Sequence, residues 1–93
     1  MLERAIERHL IHEVKRRNGL ALKFISPGIS GVPDRIVLLP RGKMAFVELK
    51  APGETLRPLQ VKRKTQLEIL GFEVYCVDGI QQIGGVLDAI QTA

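Results

Sequence analysis

Pro33-Asp34-Arg35-Ile36-Val37-Leu38-Leu39-Pro40-Arg41-Gly42-Lys43-Met44-Ala45-Phe46-Val47-Glu48-Leu49-Lys50 is the stretch of this 93-residue chain that decides its fold. Two apolar runs, at about 35–39 and 43–50, flank the short connection Pro40-Arg41-Gly42. That spacing predicts two strands joined as an antiparallel hairpin. Ala51-Pro52-Gly53 ends the second run, and Pro58 suits the first turn of a helix continuing to Leu70, with Gly71 as its stop. Phe72-Glu73-Val74-Tyr75-Cys76-Val77 reads as the next strand. Strand, helix and strand over residues 43–77 form a crossover unit, so those two strands should pair in parallel with a right-handed connection.

Upstream, Leu2, Ile6, Leu10 and Val14 recur every four positions, the apolar stripe of an amphipathic helix over residues 2–17. Asn18-Gly19 stops it, with Gly19 expected to take the left-handed conformation. Leu20 to Ile25 alternates as a half-buried strand, and Ser26-Pro27-Gly28-Ile29-Ser30-Gly31 is loop by composition. Downstream, Ile83, Val86, Leu87 and Ile90 mark a closing helix, weakened by Gly84-Gly85. The order αβββαβα predicts one α/β domain over residues 1–93, a mixed four-stranded sheet flanked by helices.

A hydrophobic content of 45% argues against wholesale disorder. No apolar run approaches the roughly 20 residues of a membrane span, and an N-terminus carrying Glu3, Glu7 and His9 is not a signal peptide. Cys76 is alone, which excludes an internal disulfide and a cysteine-based zinc cage; it fits a reducing compartment and reads as a small buried hydrophobe. The net charge of +4 is clustered in Lys15-Arg16-Arg17 and in Lys62-Arg63-Lys64 with Arg57 upstream. Clustered cations attract polyanions regardless of sequence, although such runs also serve as solvated helix faces. Only four aromatics occur, at strand-like positions, so a base-stacking platform is poorly supported.

Asp34 and Glu48 each belong to a run that otherwise reads as buried strand, and burying ionised groups is costly unless something pairs with them. Glu48 and Lys50 project on one side of their strand, about 6.6–7 Å apart along it, and Asp34 begins the neighbouring strand. Two carboxylates with the Leu49 main-chain carbonyl are all oxygen donors, a set suited to Mg²⁺ or Mn²⁺ rather than zinc. Lys50 beside them is placed to orient a water or to stabilise charge accumulating on phosphorus, chemistry that suits phosphodiester cleavage. A structural alternative has Asp34 capping a turn while Glu48 and Lys50 form an exposed cross-strand pair.

Gly31-Val32-Pro33-Asp34-Arg35 followed by Phe46-Val47-Glu48-Leu49-Lys50-Ala51-Pro52-Gly53 resembles the PD-(D/E)xK nuclease superfamily, and within it the virus-type replication-repair nuclease domain, VRR-NUC. The resemblance extends over nearly the whole chain, including Lys23-Phe24, Ser26-Pro27-Gly28, Leu59-Gln60 and Leu70-Gly71-Phe72-Glu73-Val74. It implies a restriction-endonuclease-like core. It further implies that Asp34, Glu48 and the Leu49 carbonyl hold the metal, that Lys50 is the catalytic lysine, and that Gln60 reaches the scissile phosphate or attacking water. The first-helix glutamate of the family matches Glu7 best, with Glu3 on the same flank as the other candidate. Lys23, Ser26, Arg35, Arg57, Lys62 and Arg63 are candidate DNA contacts; Arg35 is equally suited to pairing with a nearby acid.

The implied function is a Mg²⁺- or Mn²⁺-dependent DNA endonuclease of bacterial or phage-infected cytoplasm, with no small-molecule cofactor. One domain has one active site, and cutting both strands of a branched junction needs two, so a symmetric homodimer resembling Holliday-junction resolvases is expected. Its interface is expected on the first or last helix. Flap or splayed-arm cleavage, a non-catalytic nucleic-acid-binding module and a small protein-interaction domain are the alternatives.

Overall fold

A computed structural model describes residues 2–93. Its elements are α1 (Glu3–Arg16), β1 (Leu20–Lys23), β2 (Arg35–Leu39), β3 (Lys43–Leu49), α2 (Pro58–Ile69), β4 (Val74–Val77) and α3 (Ile83–Thr92). The sheet order is β1-β2-β3-β4: β1 and β2 pair antiparallel, as do β2 and β3, and β4 pairs with β3 in parallel. This is the mixed α/β architecture expected from the hairpin and the crossover. β1 and β4 are each two residues shorter than the apolar pattern suggested, stopping before Phe24 and starting after Glu73.

α1 ends in a Schellman motif. The Gly19 N–H donates to the Val14 carbonyl and the Asn18 N–H to the Lys15 carbonyl, each at 3.0 Å. Asn18, not Gly19, takes the left-handed backbone, at φ 62°. Glycine is required at 19 for a different reason. A Cβ there would lie 2.3 Å from the Leu38 carbonyl oxygen, because the chain turns into β1 hard against β2.

The core lies on one side of the sheet. Ile6, Leu10 and Val14 of α1 and Ile83, Leu87 and Ile90 of α3 pack on Val37, Leu39, Ala45, Val47, Leu49 and Val77. The apolar stripes of the first and last helices are therefore used inside the protomer. The opposite face carries Leu20, Leu22, Phe24, Phe46 and Phe72. Phe46 contacts Phe24 and Phe72 with ring centroids 5.6 and 5.8 Å apart. Only α2 lies over this face, and Gln60 is its one buried residue. Leu20, Leu22, Ile29, Ile69, Leu70 and Phe72 remain exposed, Ile69 and Leu70 at 79% and 71%. Cys76, expected in the core, is likewise exposed, because it alternates onto this thinly covered side of β4.

Candidate active site

The β2–β3 register pairs Arg35 with Val47, so the preceding residue, Asp34, stands opposite Glu48. Two hydrogen bonds hold Asp34 there. Its carbonyl accepts the Phe24 N–H at 2.8 Å, extending the β1–β2 ladder. Its carboxylate Oδ2 accepts the Leu49 N–H at 2.9 Å. Upstream, the loop at 26–33 is drawn against α2: Arg63 donates Nε–H to the Ser30 carbonyl at 2.7 Å, and a Cβ at Gly31 would lie 2.7 Å from the Leu59 carbonyl oxygen. That close approach brings the start of α2, and Gln60 with it, to the ends of β2 and β3.

The result is a polar pocket of about 330 Å³ lined by Glu3, Asp34, Glu48, Lys50, Glu54 and Gln60, with Leu49, Thr55 and Arg57. Glu48 is only 3% exposed. Burial, the hydrogen bond it shares with the Asp34 carboxyl and the Asp34 charge push its pKa up to about 8, against the opposing pull of Lys50. Glu3, reaching the pocket from the start of α1, is raised by burial and by Asp34. Gln60 is buried, and its Oε1 accepts the Arg57 N–H at 2.9 Å, which leaves its amide hydrogens to the pocket.

Crowded carboxyl groups that hold a proton near neutrality are an environment that a cation relieves. Their donor atoms are all hard oxygens. Among the described residues no third His, Cys, Asp or Glu closes on Asp34 and Glu48 tightly enough to enclose an ion. Two carboxylates with water in the remaining positions is the usual way Mg²⁺ is held, so the residues present fit a hard divalent ion.

No model of a protein family matches the chain. A solved VRR_NUC domain superposes with a TM-score of 0.86 at 26% identity, covering 95% of this chain and 97% of that one. A protein called "Putative nuclease p44", of Acyrthosiphon pisum secondary endosymbiont phage 1, is 48% identical over 88 residues, 95% of this chain and 94% of its own length. The chain belongs to the VRR-NUC nuclease family.

Not every position that the VRR-NUC resemblance singled out reaches the pocket. Asp34, Glu48, Lys50, Gln60 and Arg57 do, with the Leu49 main chain. Glu7 does not, whereas Glu3, the other first-helix candidate, does. Glu7 lies one turn further along α1, where its Oε2 pairs with the Arg35 guanidinium at 3.1 Å. Arg35 is consequently no free phosphate clamp. One arm meets Glu7, a second donates to the Ala21 carbonyl at 3.0 Å, and its Nε is buried without a partner.

Lys23, Ser26, Lys62 and Arg63 lie outside the polar pocket. Ser26 and Arg63 line a neighbouring apolar groove of about 520 Å³ with Phe24, Ile29, Leu67 and Leu70. Arg63 is further committed to Ser30 and to Gln66. Lys23 and Lys62 are exposed. Glu54 was missed by sequence reasoning. Its Oε1 accepts the Ala51 N–H at 2.9 Å, closing the turn after β3 and adding a fourth carboxylate to the pocket. An acid five residues beyond the end of β3, after Pro52-Gly53, was the available signal.

Proposed function

We propose that this VRR-NUC protein is a Mg²⁺- or Mn²⁺-dependent endodeoxyribonuclease, selective for branched DNA and active as a homodimer in the cytoplasm of a bacterial or phage-infected cell. The observation that carries the hydrolytic reading is the facing pair of Asp34 and Glu48 with Lys50 in the same pocket.

In this reading Asp34, Glu48 and the Leu49 carbonyl would hold the ion, with Glu3 further out in the same pocket. A divalent ion bound there supplies Lewis-acid polarisation of the phosphate and lowers the pKa of water. Lys50 orients the attacking water and offsets the negative charge that grows on the phosphate oxygens as phosphorus becomes five-coordinate. Gln60 donates an amide N–H to the phosphate, its orientation fixed by the bond from Arg57. Arg57, Lys23 and Lys62 hold the flanking backbone. The water oxygen becomes attached to phosphorus as its proton passes to solvent, and the bond from phosphorus to one sugar oxygen breaks, that oxygen taking a proton from solvent. The pocket groups are assigned to the ion and the phosphate backbone, so selectivity rests on DNA shape.

The homodimer is assigned to the open sheet face and the end of α2. Standard interfaces cover about 800 Å² per partner, and the exposed Leu20, Leu22, Ile29, Ile69, Leu70 and Phe72 supply apolar area on that order. The deciding experiment incubates purified protein with labelled single-stranded, duplex, flap and four-way DNA in Mg²⁺, Mn²⁺ or chelator. Paired symmetric incisions in the four-way substrate, abolished by chelator, are expected. Cleavage of flaps alone would replace the junction assignment, and absence of metal-dependent cleavage on every substrate would remove the enzymatic one.

A further inference from the structure

The ion pair between Glu7 and Arg35 occupies a particular place in the chain. Arg35 directly follows Asp34, and Glu7 lies one helical turn after Glu3. The pair at 3.1 Å therefore closes a short loop of structure whose two ends are pocket acids from different elements. Arg35 is poorly placed to move. Its side chain is 13% exposed, its second arm is anchored on the Ala21 carbonyl at 3.0 Å, and its Nε is buried without a partner.

The start of α1 needs such an anchor. Leu2 occupies the N-cap position and supplies no side-chain hydrogen bond, so the first turn, which bears Glu3, has its free N–H groups uncapped. An uncapped turn frays readily. Ile6 is the first α1 residue in the core, and Glu7 is the first one joined by charge to the strands that carry Asp34.

We infer that Glu7 and Arg35 are positioning residues: their ion pair ties the second turn of α1 to β2 and so holds the first turn, with Glu3, in the pocket that Asp34 lines, where its charge favours a bound cation. The inference rests on the metal-dependent reading above. It assigns these two residues to neither the metal nor the DNA, in place of the direct roles that the sequence suggested for each.

Mn²⁺ affinity, measured by calorimetry well below the melting temperature, distinguishes this from simple electrostatics. Removing a cation near a cation site should tighten Mn²⁺ binding if only charge matters. With the tether acting, Arg35→Gln weakens it, by about 10-fold, the lower end of what supporting residues around metal ligands usually contribute. Glu7→Gln, at a more exposed position, keeps the test available if Arg35→Gln fails to fold. It should weaken Mn²⁺ comparably and speed amide hydrogen exchange at residues 5–7. The exchanged pair Glu7→Arg with Arg35→Glu should recover most of the affinity. Glu13→Gln, which breaks the Arg16 pair at the far end of α1, should leave it unchanged.

Tighter or equal Mn²⁺ binding by Arg35→Gln, or unchanged affinity and exchange in Glu7→Gln, overturns the tether while leaving the nuclease assignment intact. A wild-type protein that binds no Mn²⁺ overturns both.

Discussion

Asp34 and Glu48 stand opposite one another, one step beyond the last regular pair of the β2–β3 ladder, with both carboxyl groups in one polar pocket. That arrangement is unfavourable when both are ionised, and its consequences are measurable with and without a metal.

Stability of the metal-free protein should fall as pH rises. The Glu48 pKa of about 8 in the fold lies above its ordinary 4.5, so between these values the folded chain binds a proton that the unfolded chain releases. The contribution is complete below about pH 4.5 and lost as pH climbs through about 8. A loss of only about 1 kcal/mol lowers Tm by about 4–8 °C in a domain of this size. Thermal melts in chelator should show that decline, Glu48→Gln should flatten it, and Mn²⁺ should raise Tm more at the alkaline end. A Tm indifferent to pH in this window would rule out the shared proton.

Lys50→Met should lower the cleavage rate by about 10²–10³-fold, the usual effect of removing one group that stabilises transition-state charge. DNA affinity in Ca²⁺ should change little. If cleavage persists at near wild-type rate, the pocket is not where hydrolysis occurs.

The two residues of the α1–β1 turn should respond in opposite directions. Gly19→Ala drives a Cβ into the Leu38 carbonyl and should cost about 1–3 kcal/mol, as overpacking does. Asn18→Gly relieves a left-handed non-glycine residue at φ 62° and should be neutral or slightly stabilising. Urea unfolding of both variants reads the contrast directly.

Ile69→Glu and Leu70→Glu place charges on side chains that are 79% and 71% exposed, so the protomer fold should keep its Tm. Sedimentation should show monomers, and four-way junctions should then be nicked on one strand at a time. Variants that stay dimeric would move the interface off the open sheet face.

The fold was legible in the sequence because the hairpin and the crossover announce themselves locally: a short Pro-Arg-Gly connection, and a helix framed by Pro58 and Gly71. That Asp34, Glu48 and Lys50 share one pocket was legible for a related reason, since strand alternation fixes the side on which a charge emerges. The first-helix acid was not. Glu3 and Glu7 share one flank at helical spacing, and only the docking position of α1 along the sheet separates them. Arg35 was ambiguous because its partners, Glu7 and the Ala21 carbonyl, lie far away in sequence. Cys76 misled because its neighbours are apolar, while its exposure depends on how little of β4 is covered by α2.

β3 serves both sides of the sheet. Ala45, Val47 and Leu49 face inward while Phe46 and Glu48 face outward. Shifting this strand by a single residue would expel its hydrophobic set and carry Glu48 into the interior. Insertions or deletions there should therefore abolish folding and hydrolysis together, whereas on β1 or α2 the two properties remain free to diverge as the protein evolves.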